Sequence, residues 1–332
     1  MLPWPLAQPR TVAVVGAPQQ FGQPNAGVDC APGLLRQAGL TSTLGRLGWR
    51  VEDLGDVALP AVGGDDASSA VRHGAAVGRG SEKIFETCKG AHLKGRFVLT
   101  IGGDHSVALG TVAGALAARP ETRVLWVDAH ADCNSPATSP SGNAHGMPLA
   151  FLLGLVAPES LKGADADAFA WLVSKPPLLT PDNLAFVGLR DVDAGEREIL
   201  RELRSRGAFV SSMHDVDRRG VGGVVDAALA HLGYADADAR DRGAPAPNGG
   251  APLHCSFDVD ACDPVVAPAT GTAVRGGLTF REAHYLCEAA AATGHLGSLD
   301  VVEVNEGLAN DDGATVDVAL GLVASALGAV IL

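Results

Sequence analysis

The chain has 332 residues, 47% hydrophobic and 19% charged, a balance that suits a globular protein and excludes a disordered one. Its net charge of −13 disfavours nucleic acid as a partner and favours a cationic ligand. The six cysteines (Cys30, Cys88, Cys133, Cys255, Cys262, Cys287) have no CxxC and no framework spacing, so they read as reduced thiols.

Met1–Arg10 carries neither a signal-peptide nor a transit-peptide pattern, and no apolar run approaches membrane-spanning length. A soluble, cytoplasmic protein with no membrane association is expected. Thr11–Gly16 (TVAVVG) is a β-branched run ending in Gly and reads as a first buried strand. A loop rich in Gly, Gln and Pro follows through Asp29. Pro32 stands where a helix can begin, with Leu34, Leu35, Ala38 and Leu40 as its apolar stripe. Arg50–Leu54 is a second strand, Asp65–Ala91 an Ala-rich helix and Phe97–Ile101 a third strand. Gly102–Ser106 breaks out of that strand ahead of another helical segment. Val124–Val127 is a fourth strand running into the polar stretch Asp128–Asn134.

Beyond a Ser/Pro/Gly loop, Met147–Leu155 reads as a short helix and Leu184–Leu189 as a fifth strand. Glu196–Leu203 is a helix, Ala208–Ser212 a sixth strand and Val221–Leu232 its helix. Residues 235–251 are polar, aperiodic and rich in Gly and Pro, which predicts an exposed, mobile loop of unusual length. Leu253–Asp258 is a seventh strand, Thr279–Ala292 a helix, Gly297–Glu303 an eighth strand and Ala314–Leu332 a closing helix. This alternation predicts an α/β fold in one domain spanning 1–332, with a parallel, about eight-stranded sheet and helices on both faces. An (αβ)8 barrel stays open on strand count alone.

Three strand ends carry acids or histidines: His105, then Asp128/His130/Asp132, then Asp258/Asp260. In an extended chain Asp128, His130 and Asp132 share one face, as do Asp258 and Asp260. Ligands of open α/β sheets collect beyond the carboxyl ends of the strands, so all six would meet at one edge. Carboxylates and imidazoles gathered there cannot be buried without compensation. Four carboxylates and two imidazoles are too many for one ion and suit two divalent cations, whose charge they balance. Oxygen-rich ligation with some imidazole and no thiolate favours Mn²⁺ over Zn²⁺, with Co²⁺ or Fe²⁺ as alternatives. Two such ions can activate a shared water at neutral pH. Asp104 and His105 alone would read as a helix cap beside a satisfied histidine. Cys133 and Cys255 have the wrong strand parity and read as packing residues. His73, His92, His214, His231, His254, His284 and His295 read as structural or solvated.

The blocks Gly102–Ser106 (GGDHS), Asp128–Asp132 (DAHAD) and Ser256–Pro264 (SFDVDACDP) resemble the three signatures of the ureohydrolase family. Asn134–Gly146 (NSPATSPSGNAHG) resembles arginases within it. Supporting stretches are Gly22–Pro24, Gly27–Val28, Gly188–Asp193, Pro268–Thr272, Gly277–Glu282 and Glu303–Asn305, in order over nearly the whole chain. The resemblance implies an open three-layer α/β/α, arginase/deacetylase-like sheet. It also implies hydrolysis of L-arginine to L-ornithine and urea by a hydroxide bridging two Mn²⁺.

Carried over position by position, His105, Asp128, Asp132 and Asp258 would hold one ion. Asp128, His130, Asp258 and Asp260 would hold the other, so Asp128 and Asp258 bridge. His145 matches a proton-shuttling histidine, and Glu303 matches the carboxylate that pairs with the guanidinium; Asp132 counts with them as catalytic. Asn134, Ser141 and Asn143, with Ser139 close by, fall where arginases read the α-carboxylate. Asp193 and Glu196 fall where they read the α-amino group, and Thr272 lines the site near the metals. A homotrimer, or a hexamer built as a dimer of trimers, is implied, with Arg281 and Glu282 on the matching segment. Departures are Ser139 where Thr is common, Pro140 beside it, a longer 235–251 loop, and a sequence that ends at Leu332 where animal-type members continue into a tail. The rival readings are hydrolysis of agmatine or another guanidine, a metal-dependent deacetylase or phosphoesterase, and a catalytically inactive metal-binding protein. The absence of a P-loop counts against phosphoryl chemistry.

Overall fold

The structure is a computed structural model that describes residues 10–61, 69–173, 178–234, 250–308 and 313–329. Its strands are β1 (Thr11–Ala17), β2 (Arg50–Asp56), β3 (Phe97–Gly102), β4 (Arg123–Val127), β5 (Leu184–Leu189), β6 (Phe209–Ser212), β7 (Leu253–Asp258) and β8 (Leu296–Val302). They form one sheet in the order β2-β1-β3-β8-β7-β4-β5-β6, and every pairing is parallel. The sheet is open, with β2 and β6 at its edges, and no barrel closes.

Parallel strands covered on both faces need near-continuous apolar sequence. Strands β1, β3, β5, β7 and β8 are accordingly buried at every position. Edge strand β2 (RVEDLGD) is exposed or half-buried and blunts its free side with charge. Arg36 pairs there with Asp53 at 2.8 Å, and Arg96 with Glu52 at 2.7 Å.

The helices are α1 (Ala31–Gln37), α2 (Leu40–Arg46), α3 (Gly74–Leu93), α4 (Ala108–Ala118), α5 (Pro148–Leu152), α6 (Gly163–Val173), α7 (Ala194–Ser205), α8 (Met213–His231), α9 (Phe280–Ala292) and α10 (Ala314–Ala326). Alternate strand residues face opposite layers. Val12, Leu99, Leu125, Val187 and Leu299 pack with α1, α2, α8, α9 and α10. Val124, Trp126 and Phe186 pack with α3 to α7. The result is the three-layer α/β/α fold with the strands' carboxyl ends along one edge.

Several boundaries differ from the sequence reading. The helix expected from Asp65 begins at Gly74, after His73 in a left-handed conformation (φ 50°), while 62–68 lie outside the described residues. The helix expected from Val221 is present, but α8 also includes an unexpected stretch from Met213, started by a capping box of Ser212 and Asp215. Gly220 (φ 71°) breaks it just before the predicted start. Helix α6 was not expected: its buried stripe of Asp165, Ala168, Phe169 and Leu172 has helical spacing but includes a carboxylate. The short α2 was absorbed into the preceding stripe. The closing helix stops at Ala326, ahead of Gly328 (φ 106°). Most of the predicted 235–251 loop, residues 235–249, lies outside the described residues. No described helix is long and apolar enough to cross a membrane.

Candidate metal centre

Each ligand-bearing segment leaves the sheet at a strand end. After β3, a Cβ on Gly103 would lie 1.7 Å from the Gln19 carbonyl oxygen, so only glycine allows this approach. Asp104 then caps the turn His105–Val107 by accepting from Ser106 N, and its other oxygen accepts from Gly22 N at 2.7 Å. After β7, Asp258 accepts from Asp260 N at 2.8 Å, and the turn Val259–Ala261 brings Asp260 back toward the edge. Arg190 holds that turn through the carbonyls of Ala261, Cys262 and Val274.

The stretch after β4 corrects the sequence reading. The strand ends at Val127, and Asp128–Asp132 is irregular, with Asp132 at φ 47°. Asp128, His130 and Asp132 therefore meet through a folded loop, and strand alternation does not explain it. Glu303, just past β8, is also left-handed (φ 64°). Such backbone costs of order 1–3 kcal/mol at a non-glycine residue and persists only where neighbours fix it. Here Glu303 N donates to Gly103 O at 2.9 Å, and Leu149 N donates to Asp132 O at 3.0 Å.

The donor atoms converge. His105 Nδ1 lies 3.0 Å from Asp128 Oδ2, 3.0 Å from Asp132 Oδ2 and 3.2 Å from Asp258 Oδ2. It makes no hydrogen bond of acceptable geometry with any of them, an arrangement that suits ligands around an ion. His130 Nδ1 lies 3.0 Å from Asp260 Oδ2 and 3.4 Å from Asp128 Oδ1. Among the described residues two sets can each hold a metal ion, His105/Asp128/Asp132 and Asp128/His130/Asp260, with Asp128 common to both. Asp258 turns one oxygen to His105 and gives the other to the Asp260 N–H.

Electrostatics make the same point. Burial, with Asp260 and Asp128 adding to it, drives the Asp258 carboxyl well above its ordinary range. Burial and Asp128 push Asp132 up to about 6. Asp128 alone is held below the usual carboxylate range: burial opposes this, but the imidazoles of His105 and His130 prevail. Buried carboxylates this close cannot all ionise without a cation among them. The donor set therefore fits two divalent ions.

Around the ligands, Trp126 stacks on His105 with ring centroids 4.1 Å apart and donates from Nε1 to Asp128 Oδ2 at 3.1 Å. His105 Nε2 lies 2.9 Å from Ser256 Oγ. Thr272 Oγ1 donates to Asp260 Oδ2 at 2.9 Å. His145 Nδ1 stands 3.1 Å from Glu303 Oε1, which also accepts from His105 N at 2.9 Å, while Gln23 Nε2 donates to Glu303 Oε2 at 3.3 Å. Burial pulls the His145 imidazole down, but Glu303 prevails and holds it at about 9.

Residues 10–328 match the profile of the Arginase family. The chain belongs to the arginase family. It is 43% identical to an arginase of Glaciozyma antarctica over 98% of this chain and 90% of that one. It is 40% identical to human arginase-1 over 91% and 87% of the two chains. The crystal structure of the Bacillus caldovelox arginase superposes with a TM-score of 0.84 at 34% identity, covering 97% of this chain and all of that one. Family, fold and paired ligand sets together describe an arginase-family ureohydrolase with a binuclear metal-binding site.

In this arginase-family site the remaining predicted residues lie on the loop that follows Asp132 and at the start of α7. Asn134 is buried and donates from Nδ2 to Asp193 Oδ2 at 2.7 Å. Asp193 caps α7 in a capping box with Glu196, whose Oε1 also accepts from Cys133 N at 3.4 Å. Burial, then Asp132 and Asp193, push Glu196 up to about 8. Ser139 Oγ accepts from Gly142 N at 3.0 Å and Ser141 Oγ from Asn143 N at 3.2 Å, so both hydroxyls already shape their turn. Ser141 is exposed; Ser139 and Asn143 are half-buried. Cys133 and Cys255 are buried.

Three residues at the centre were missed from sequence. Ser256 shares the strand parity of Asp258 and could have been found that way. Trp126 reads as core in an apolar strand and gives no sign of its stacking role. Gln23 sits in a loop with no periodicity, so only the fold brings it to Glu303.

Proposed function

We propose that this protein hydrolyses L-arginine to L-ornithine and urea at a binuclear manganese centre held by His105, Asp128, Asp132, Asp258, His130 and Asp260. Oxygen and imidazole donors without thiolate favour manganese, with Co²⁺ or Fe²⁺ as substitutes. Divalent ions there would supply a strong nucleophile from water at neutral pH.

The chain's own residues do the rest. Glu303 is buried and carries the charge opposite to a guanidinium, so it orients the cation over the ligands. Asp132, beside His105, orients the attacking water. His145 is braced on Glu303 through Nδ1, leaving Nε2 to pass a proton to the departing amine. In the overall change a C–O bond forms, the C–N bond to the side-chain nitrogen breaks, and both protons of the water end on that nitrogen, which leaves as an ammonium group. Thr272 steadies Asp260 through its hydroxyl.

The observation that carries the arginine reading is the 2.7 Å hydrogen bond between Asn134 and Asp193. It joins the loop of Asn134, Ser139, Ser141 and Asn143, suited to an α-carboxylate, to the start of α7, where Asp193 and Glu196 suit an α-amino group. A substrate lacking those groups forgoes the hydrogen bonds that this loop and helix start can offer, which costs affinity. A homotrimer or hexamer belongs to the same proposal: Phe280 is 54% exposed at the start of α9, next to the Arg281–Glu288 ion pair.

The test is urea release by Mn²⁺-loaded protein from arginine, agmatine and guanidinobutyrate at matched metal content. Arginine is expected to be cleaved fastest. Faster cleavage of agmatine would overturn the substrate assignment, and no cleavage of any would overturn the catalytic reading.

A further inference from the structure

Asp300 lies in the middle of β8, fully buried, and no step above uses it. A carboxylate inside a sheet costs several kcal/mol unless its surroundings repay it. Among the described residues its ion-pair partner is His254, whose Nε2 is 3.1 Å from Asp300 Oδ2. The same oxygen accepts from Thr111 Oγ1 on α4 at 2.5 Å and from Ser256 Oγ at 3.5 Å. His254 is held in turn through Nδ1, 2.8 Å from Ser298 Oγ. Ser256 is the residue that touches His105 Nε2.

The proton inventory gives this chain a direction. His105 turns Nδ1 to the carboxylates, so with Nδ1 engaged by an ion its remaining proton sits on Nε2 and is donated to Ser256 Oγ. The Ser256 hydroxyl must then donate elsewhere, and Asp300 Oδ2 is the acceptor in reach. The polarity runs imidazole to hydroxyl to carboxylate. A hydrogen-bond acceptor at its end makes His105 a better electron donor and fixes the ring's tautomer. Among the described residues the other imidazole has no buried relay behind it: His130 Nε2 faces Asp191, 3.8 Å away with its side chain 66% exposed. The two ions would therefore rest on unequal supports, one buried and one open to water.

We propose that Asp300 and His254 are positioning residues for His105, acting through Ser256, and that this buried relay strengthens binding of the ion on the His105 side selectively. The inference rests on the binuclear reading of the site and is independent of the substrate. The experiment is a calorimetric titration of chelator-stripped protein with Mn²⁺, with electron paramagnetic resonance to separate a coupled ion pair from isolated ions. Wild type should bind two ions. Asp300→Asn should weaken one of them by about 10–100-fold, leave the other unchanged, and show isolated-ion signal where wild type shows the coupled pair. If Asp300→Asn does not fold, Ser256→Ala cuts the same relay within β7 and should give the same one-sided loss, with Ser256→Thr restoring it. Equal weakening of both ions, or none, overturns the relay while leaving the binuclear reading in place. A wild-type protein that binds fewer than two ions removes that reading and the relay with it.

Discussion

Asp128 offers one oxygen to each half of the metal centre, and this makes Asp128→Asn the most discriminating single change. Oδ2 lies 3.0 Å from His105 Nδ1 and Oδ1 3.4 Å from His130 Nδ1, so each ion would share this carboxylate. Two unit charges about 4 Å apart are worth about 4 kcal/mol at an effective dielectric of about 20. A divalent ion doubles the Coulomb figure, and the amide oxygen returns part of it. A net loss of about 4 kcal/mol per ion corresponds to about 10³-fold in affinity. Asp132 provides the contrast, because it faces His105 and belongs to one ligand set. Titrating chelator-stripped proteins with Mn²⁺ should give two ions for wild type. Asp132→Asn should keep one of them tightly bound, and Asp128→Asn should keep neither near wild-type affinity. The isosteric Asn preserves packing against Trp126, so thermal melting of the stripped proteins checks that the fold survives. An Asp128→Asn protein that still holds one ion at wild-type affinity refutes the shared-ligand geometry.

Two further outcomes follow from the same site. His145→Ala should lower urea release by about 10²–10⁴-fold with both ions still bound, as removal of a general acid would; unchanged turnover would end the proton-transfer role. In the metal-free protein, burial lowers the His145 pKa but Glu303 outweighs it, and the folded value of about 9 exceeds the ordinary 6.5. The stabilisation is thus complete below about pH 6.5 and is lost as pH rises through about 9, up to about 3 kcal/mol in all. Urea denaturation of stripped wild type and Glu303→Gln should show a stability gap that closes across that range, and a gap independent of pH would exclude the pair.

The fold class was legible because parallel strands sandwiched between helices leave unbroken apolar runs such as TVAVVG and LAFVGL. The open sheet was not legible from those runs, since strand order depends on which ends pair, and that knowledge came with the family resemblance. Five of the six ligand positions were grouped by a period-two argument and His105 by its place after β3, yet strand alternation carries neither group: β4 stops at Val127 and β7 at Asp258, with Asp260 in the turn that follows. Asp128–Asp132 meet because Asp132 adopts a left-handed backbone, which no side-chain alternation encodes. Helix α6 was hidden by Asp165, a carboxylate on its buried face. His254 reads as structural or solvated and Asp300 gives no signal, because their partners come from neighbouring strands and from α4.

The sheet order has a consequence for when the centre can exist at all. Strands β3 and β4 are successive in the chain, yet β8 and β7 lie between them. During synthesis the segments bearing His105 and Asp128 emerge early and have nothing to pair across. The gap closes only once Leu296–Val302, the last strand of the sheet, has left the ribosome and inserted. Pairings so distant in sequence are slow to form. Cation loading is thereby tied to the insertion of β8, and a nascent chain stalled before β8 should scavenge no ions while its first strands wait.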